Sequence, residues 1–530
     1  MQYGEIETMY CDILLMRAPH KAWKLITHWD NFLPPLGKLS IGAMLLQNGF
    51  NVKMIDCCIN QWGWESLTKA LKMIDPPVIG LGGPITWYDE NMRLFKIAKS
   101  LNPNVINIYG GPFATLCPEK IIYPGSPVDF VIYGEGEYTT LELMNELKRA
   151  PQDRDFSKIR GLVYLKNEHP FYTPPRPLVK DLDELPSPAY ELLPIERYGD
   201  KRGMWGRVIS VYHSKGCIDN CIFCSCWKAG GEIKCYDASN KDVSQKWRTK
   251  SVKKTLEELK YIKDKWNKDL YLFTDDTWNV NPKWNEEFAE KYKKEYGLTA
   301  DWFAFMRTDF IYRDIKNGIF KKLYEDSNLR HIIIGMERST QKGLNALGKH
   351  NTVTKSDYVV RWIRQNCRDI FVQGTFINGL WEDNNEDILA QGPYAKALGV
   401  DYPAFHVVTP FPGTPLYDWY DSQNLIDKRV PYDSYEFDTA IVPTKYLTRE
   451  EVAKYNKEVN QKYAADPLYL VRGLFLTGRA RSKLYRHFMK RMIILLASSF
   501  LDFKKPPEYN PLKKIHTDLF NVVEPDWYNK

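Results

Sequence analysis

Too few cysteines for a cross-linked scaffold, ten in 530 residues, exclude a small disulfide-stapled fold and point to a reducing compartment. Long apolar runs are also missing. The longest, residues 492–501, has about half the length that a membrane-spanning helix needs. The N-terminal MQYGEIETMYCD is acidic and has no apolar signal segment. Neither sign of charge dominates, and a net charge of +7 points to no nucleic-acid partner. What remains is 44% hydrophobic and 26% charged residues, the composition of a globular protein with a large core, expected in the cytoplasm. The aromatic load of 16 Trp and 33 Tyr exceeds what a core requires. Packing is its simplest use, and the lining of a large pocket is the other.

Three of the ten cysteines are crowded into the run HSKGCIDNCIFCSCW. They are Cys217, Cys221 and Cys224, with spacing Cys-x3-Cys-x2-Cys. Thiolates hold iron–sulfur clusters, and a cubane normally takes four. Three ligands so close together leave one iron open to chelation by a small molecule. The spacing is neither the ferredoxin run nor the paired knuckles of a zinc ribbon. Two plainer readings stand beside the cluster: three buried thiols, or a zinc site completed by Cys226 or Cys235. Those two are otherwise expected as packed small side chains, and Cys11, Cys57, Cys58, Cys117 and Cys367 as core or turn residues.

Residues 1–150 alternate short apolar strands (11–18, 52–56, 78–82, 105–109, 130–133) with helices (36–48, 64–73, 92–101, 139–149). That is the pattern of a parallel doubly wound α/β sheet, which binds ligands at the carboxyl ends of its strands. Those ends carry Gly82, Gly83 and Thr86; Gly110, Gly111, Pro112 and Thr115; and Gly134 with Glu135. Glycine there lets the backbone approach a large flat ligand, although the turns of a ligand-free domain would read the same way. Residues 151–205, rich in proline and charge, are expected to form an extended connector broken by a short hairpin at 161–164 and 171–172.

Over residues 206–431 the alternation resumes, with strands at 208–212, 270–274, 302–306, 331–335, 370–377 and 405–409. Polar residues cluster at the strand ends, where barrel active sites are built: Asp275 and Asp276, Arg307, Glu337, and the segment 410–414. A salt bridge at the mouth is the alternative for Arg307 and Glu337, and helix capping ahead of Asn281 the alternative for Asp275. Residues 432–530 read as helical, with helices at 449–464 and 472–500. The second is basic and amphipathic, packing its apolar face on the barrel or meeting an anionic membrane surface.

The cysteine motif, with the aromatic Phe223 just ahead of its third cysteine, resembles that of the radical S-adenosylmethionine (SAM) enzymes. Upstream, Pro34-Pro35-Leu36-Gly37, the strand ending at Asp56, GGPFAT at 110–115 and GEGE at 134–137 resemble the cobalamin-binding domain that precedes many radical SAM domains. No Asp-x-His-x-x-Gly occurs, so the histidine that ligates cobalt in methionine-synthase-type domains has no counterpart. The whole chain resembles cobalamin-dependent radical SAM enzymes, the group with anaerobic magnesium-protoporphyrin monomethyl ester cyclase and several carbon methyltransferases.

The resemblance implies an α/β protein: a Rossmann-like cobalamin-binding domain over 1–150, a connector over 151–205, a partial (β/α)6 TIM-type barrel over 206–431, and a helical region over 432–530. It implies a [4Fe–4S] cluster on Cys217, Cys221 and Cys224. SAM would lie on the open iron near Phe223, Asp275, Asp276, Arg307 and Glu337. Cobalamin would rest against Gly83, Thr86, Gly110, Gly111, Pro112, Thr115, Gly134 and Glu135, with no protein histidine on cobalt. The implied activity is methyl transfer to an unactivated carbon through a 5′-deoxyadenosyl radical and methylcobalamin. It would run anaerobically, with an electron donor such as flavodoxin or ferredoxin. Oxidative cyclisation with the same cofactors, or a non-catalytic iron–sulfur or corrinoid-binding protein, are the other readings. The substrate would be a small molecule, a lipid or a protein residue.

Overall fold

Strands that are buried along nearly their whole length set the first architecture. β1 (Ile13–Arg17), β2 (Val52–Asp56) and β3 (Val78–Gly82) are almost wholly buried, as strands become when helices cover both faces of a parallel sheet. The computed structural model describes residues 10–20, 33–60, 62–199, 206–237, 241–475 and 478–500, with the backbone alone at 470, 473, 474 and 491–500. These divide into two compact units. Of the described residues, the first takes in those from 10 to 199 and from 225 to 248, the second those from 206 to 224 and from 249 to 500.

In the first unit, β4 (Ile106–Gly110) and β5 (Phe130–Ile132) continue a parallel sheet in the order β2-β1-β3-β4-β5. The order reverses between β1 and β3, which makes their carboxyl ends the switch point where such sheets open a ligand crevice. The expected hairpin is there, as β6 (Leu162–Lys166) and β7 (His169–Tyr172), and it extends the sheet with antiparallel strands. The connector is not the extended tether that its prolines suggest. Leu182 and Leu185 pack with Met44, and Tyr198 is buried with its hydroxyl on Asp56 at 2.5 Å. Apolar residues spaced along the proline-rich chain are enough to bind it down.

Residues 225–248, expected within the barrel, also fold with the first unit. They form an antiparallel hairpin, Glu232–Tyr236 with Lys241–Ser244. Its Tyr236 ring stacks on Tyr133 at 4.1 Å, and its Lys241 ammonium meets Glu119 at 2.9 Å.

The second unit holds six parallel strands in sequence order: β8 (Val208–Val211), β9 (Leu270–Phe273), β10 (Asp301–Met306), β11 (Leu329–Glu337), β12 (Phe371–Asn378) and β13 (Tyr402–Val407). This is the expected partial barrel. Its aromatic core explains much of the aromatic load: Phe273, Trp278, Phe288 and Trp302 are buried with ring centroids 4.6–5.9 Å apart. The helix Arg449–Ala464 begins at the Thr448–Glu451 capping box. The expected basic helix at 472–500 is two helices, Pro467–Phe475 and Arg479–Phe500, because Gly478 takes φ +114° between them. The apolar face of the second packs on the sheet, where Phe488 stacks on Tyr402 at 4.1 Å.

Candidate functional site

The loop after β8 carries the three cysteines, and its departure from the sheet is fixed by Asp275 at the end of β9. One oxygen of that buried carboxylate accepts the backbone N–H groups of His213 at 3.1 Å and Ser214 at 2.6 Å, and the Ser214 hydroxyl at 2.5 Å. Burial pushes its pKa up to about 6, against the pull of these bonds. The capping alternative for Asp275 is thereby excluded, since Asn281 itself caps the following helix. Asp276 beside it is exposed.

Between the first two cysteines stands Asp219, which sequence reasoning passed over. It is buried, accepts from the Arg307 guanidinium, and lies 2.6 Å from His350 Nδ1. Burial works to raise the Asp219 pKa, but His350 and Arg307 hold it below the carboxylate norm. Arg307 also binds Asp309 at 2.8 and 3.0 Å. It is therefore held in ion pairs at the barrel mouth, as the plainer reading had it, and one partner belongs to the cysteine loop.

Glu337 ends β11 in a left-handed conformation, φ +59°, at a bulge in the pairing with β12. A non-glycine residue there carries strain of the kind that collects at functional sites. Its carboxylate accepts from Lys349 Nζ at 2.6 Å and from the Thr375 hydroxyl at 3.2 Å. Burial works against the charge on Lys349, yet Glu337 and the Cys221 thiol hold its pKa above that of an ordinary lysine. The segment 347–350 thus touches the cysteine loop twice, through His350 and through the Leu347 carbonyl, which accepts the Ile222 N–H at 3.1 Å. Neither Lys349 nor His350 forms a motif in one sequence.

Cys221 is buried, and Cys217 and Cys224 are half-buried. Cys217 Sγ lies 3.3 Å from the Thr277 hydroxyl. Burial pushes up the thiols of Cys217 and Cys221, so metal binding must supply the drive to deprotonate them. Three thiols on one anchored loop fit a cubane, whose thiolates each hold a separate iron. Among the described residues no group of three or more His, Cys, Asp and Glu is gathered closely enough to hold a single metal ion, with or without Cys226 or Cys235. Those two are exposed rather than packed. Cys11, Cys57, Cys58, Cys117 and Cys367 are buried, as expected. Phe223 is half-buried on the same loop.

In the first unit the glycines serve the protein's own packing first. A Cβ on Gly82, whose φ is +155°, would meet the Gly110 carbonyl oxygen at 2.1 Å, and one on Gly111, φ +92°, the Gly83 nitrogen at 3.0 Å. At Gly110 a Cβ would make only ordinary contacts, the nearest 3.9 Å away at Ile132, so this position is not closed by the protein's own packing as Gly82 and Gly111 are. The buried Thr115 hydroxyl bonds the Gly111 carbonyl and the Gly134 N–H, both at 3.0 Å. Pro112 opens the short helix between them, and Thr86 is half-buried in the turn after β3. Glu135 is engaged elsewhere: Arg248 binds it bidentately at 3.0 Å and the Val179 N–H at 2.9 Å. At the switch point the structure adds Arg17, paired with Asp56 at 3.2 Å, and Lys38, whose ammonium donates to the Gly82 carbonyl at 2.9 Å.

Residues 23–144 match the B12 binding domain family. An uncharacterized methyltransferase of Pyrococcus horikoshii is 29% identical over 83% of this chain and 90% of its own length. The anaerobic magnesium-protoporphyrin IX monomethyl ester cyclase of Cereibacter sphaeroides is 24% identical over 79% of this chain and 65% of its own. The fold is also that of the radical SAM methyltransferase TsrM from Kitasatospora setae, solved with cobalamin and a [4Fe–4S] cluster bound. That match has a TM-score of 0.64 at 13% identity and covers 92% of this chain and all of the other. In fold and motif the chain resembles the cobalamin-dependent radical SAM proteins. The segment that matches the B12 binding domain precedes a six-stranded parallel sheet with three cysteines in the loop after its first strand.

Proposed function

We propose that this chain is a methyltransferase that uses SAM, a [4Fe–4S] cluster and cobalamin to methylate an unactivated carbon of a small molecule. The observation that carries the reading is the Cys217–Cys221–Cys224 loop, anchored at the carboxyl end of the first barrel strand in a chain with a matching B12 binding domain. When bound, the cluster supplies the electron that cleaves SAM, and the corrinoid carries the methyl group. The residues of this chain supply position and shielding. Cys217, Cys221 and Cys224 hold the cluster. Asp275, Arg307, Asp219 and Lys349 keep their loop in one geometry, so that little reorganisation accompanies each turnover. Phe223 would cover SAM from the cluster side, and the Glu337 carboxylate, buried and held by Lys349 and Thr375, would accept a hydroxyl or ammonium of SAM through the lone pairs those two leave. Gly83, Gly110, Gly111 and Pro112 leave the carboxyl edge of the first sheet low enough for a corrin ring. The electron comes from a flavodoxin- or ferredoxin-type donor, and the reaction runs in the cytoplasm.

The test is mass spectrometry of an anaerobic cell extract incubated with the reconstituted protein, a reductant and SAM carrying a deuterated methyl group. A small molecule that gains the labelled methyl group supports the reading. A product that is oxidised or ring-closed and unlabelled replaces it with the cyclase-type reaction.

A further inference from the structure

The last two helices expose a mixed face that the reaction does not use. On Pro467–Phe475, Leu468, Val471 and Phe475 follow at i, i+3 and i+7, and they are 70%, 46% and 77% exposed. The other side of that helix is pinned: Tyr469 is buried, donates to the Asp401 carbonyl at 2.7 Å, and lies 4.7 Å from the Tyr485 ring. On Arg479–Phe500 the cations divide in the same way. Arg481 is buried and binds the Asp401 carboxylate at 2.8 Å. Arg479, Lys483, Arg486 and Lys490 are exposed at i, i+4, i+7 and i+11, which is one stripe of the helix. Arg479 comes within 3.5 Å of Asp301 while staying 88% exposed, a screened contact of little consequence. No Asp or Glu occurs between positions 467 and 501.

We propose that this face docks the protein on a lipid bilayer bearing anionic headgroups. Three exposed apolar side chains on one helix and four exposed cations on the next, of which Arg479 alone has a carboxylate nearby, match an interfacial surface, which buries apolar residues at the acyl boundary while its Lys and Arg reach the headgroups. Among the described residues no helix is long and apolar enough to cross a membrane, so the protein lies on the surface rather than spanning it. The stripe has no counter-charge on its own helices, and a sheet of headgroups supplies it along the whole length.

The full chain is sedimented with vesicles of phosphatidylcholine alone or with added phosphatidylglycerol. It is expected to pellet with the anionic vesicles and to stay in solution with the neutral ones. Lys483→Glu with Lys490→Glu, and separately Leu468→Ser with Phe475→Ser, should each weaken binding roughly tenfold or more. The four side chains are exposed, so the melting temperature should not move. Failure to bind anionic vesicles, or binding indifferent to both pairs of substitutions, overturns the proposal. So does capture of an acidic redox protein that depends on Lys483 and Lys490 while vesicles go unbound.

Discussion

Arg307, at the end of the third barrel strand, grips the carboxylate of Asp219, which stands between Cys217 and Cys221. The residue expected near SAM is thereby tied to the loop that would hold the cluster. Arg307→Met takes from Asp219, only 4% exposed, its arginine partner and leaves it His350, the Asn220 N–H and the Cys221 thiol. Breaking a buried pair on one side costs about 3–5 kcal/mol. Denaturant melts should show that loss, and anaerobically reconstituted Arg307→Met should hold less iron than Arg307→Lys. Equal iron content in the two variants and the parent would remove Arg307 from the positioning of the loop.

The glycines of the first unit separate folding from binding. Gly82→Ala drives a methyl group into the Gly110 carbonyl oxygen and should cost roughly 1–3 kcal/mol with no cobalamin present. Gly110→Leu brings its Cβ only into ordinary contact with Ile132 at 3.9 Å and should cost the apoprotein less than Gly82→Ala, while it abolishes the visible absorption gained with hydroxocobalamin. If Gly110→Leu takes up cobalamin as the parent does, the corrin does not rest there.

Asp401 gathers three arginines from three helices: Arg364 at 3.0 Å, Arg481 at 2.8 Å and Arg472 at 3.4 Å. Burial works to raise its pKa, but these cations hold it low. Asp401→Asn removes the shared counter-charge and should destabilise the second unit by about 3–5 kcal/mol. Limited proteolysis should then cut the C-terminal helices first.

Two buried histidines set the acid limit. Burial pushes the pKa of His213 and of His331 down to about 3, whereas the unfolded chain titrates them near 6.5. Between those values the unfolded chain binds more protons. Stability is therefore full above about pH 6.5 and falls with acid by up to about 1.4 kcal/mol per pH unit for each histidine. Asp275 works the other way. Its folded pKa of about 6 lies above the usual carboxylate value of about 3.9, so it offsets one histidine between about pH 6 and 4. Urea midpoints measured across pH 4–8 should fall on the acid side, and a flat profile would mean that these histidines are hydrated.

Periodicity was enough for the sheets, because strands such as Val78–Gly82 are apolar throughout and bounded by turns. The connector misled because prolines are visible in a sequence whereas the burial of Leu182 and Tyr198 is not. Residues 225–248 follow the cysteines without a break in composition, so nothing in the sequence signals that they fold with the first unit. In the site, Cys217, Cys221 and Cys224 are local and therefore legible. Asp219, Lys349 and His350 come together only when the segment after the helix Gln341–Ala346 meets the cysteine loop, and no spacing encodes that. Glu135 shows the reverse, a motif residue whose charge is taken by Arg248, 113 positions further along the chain.

The central claim is that one turnover consumes SAM in two ways, once for the radical and once for the methyl group. It is tested most directly by quantifying 5′-deoxyadenosine and S-adenosylhomocysteine from the same anaerobic reaction with the product-forming extract fraction. Equal amounts are expected, with both lost in the Cys217→Ala, Cys221→Ala, Cys224→Ala triple variant as product formation stops. Deoxyadenosine accumulating with product while S-adenosylhomocysteine stays absent would contradict methyl transfer.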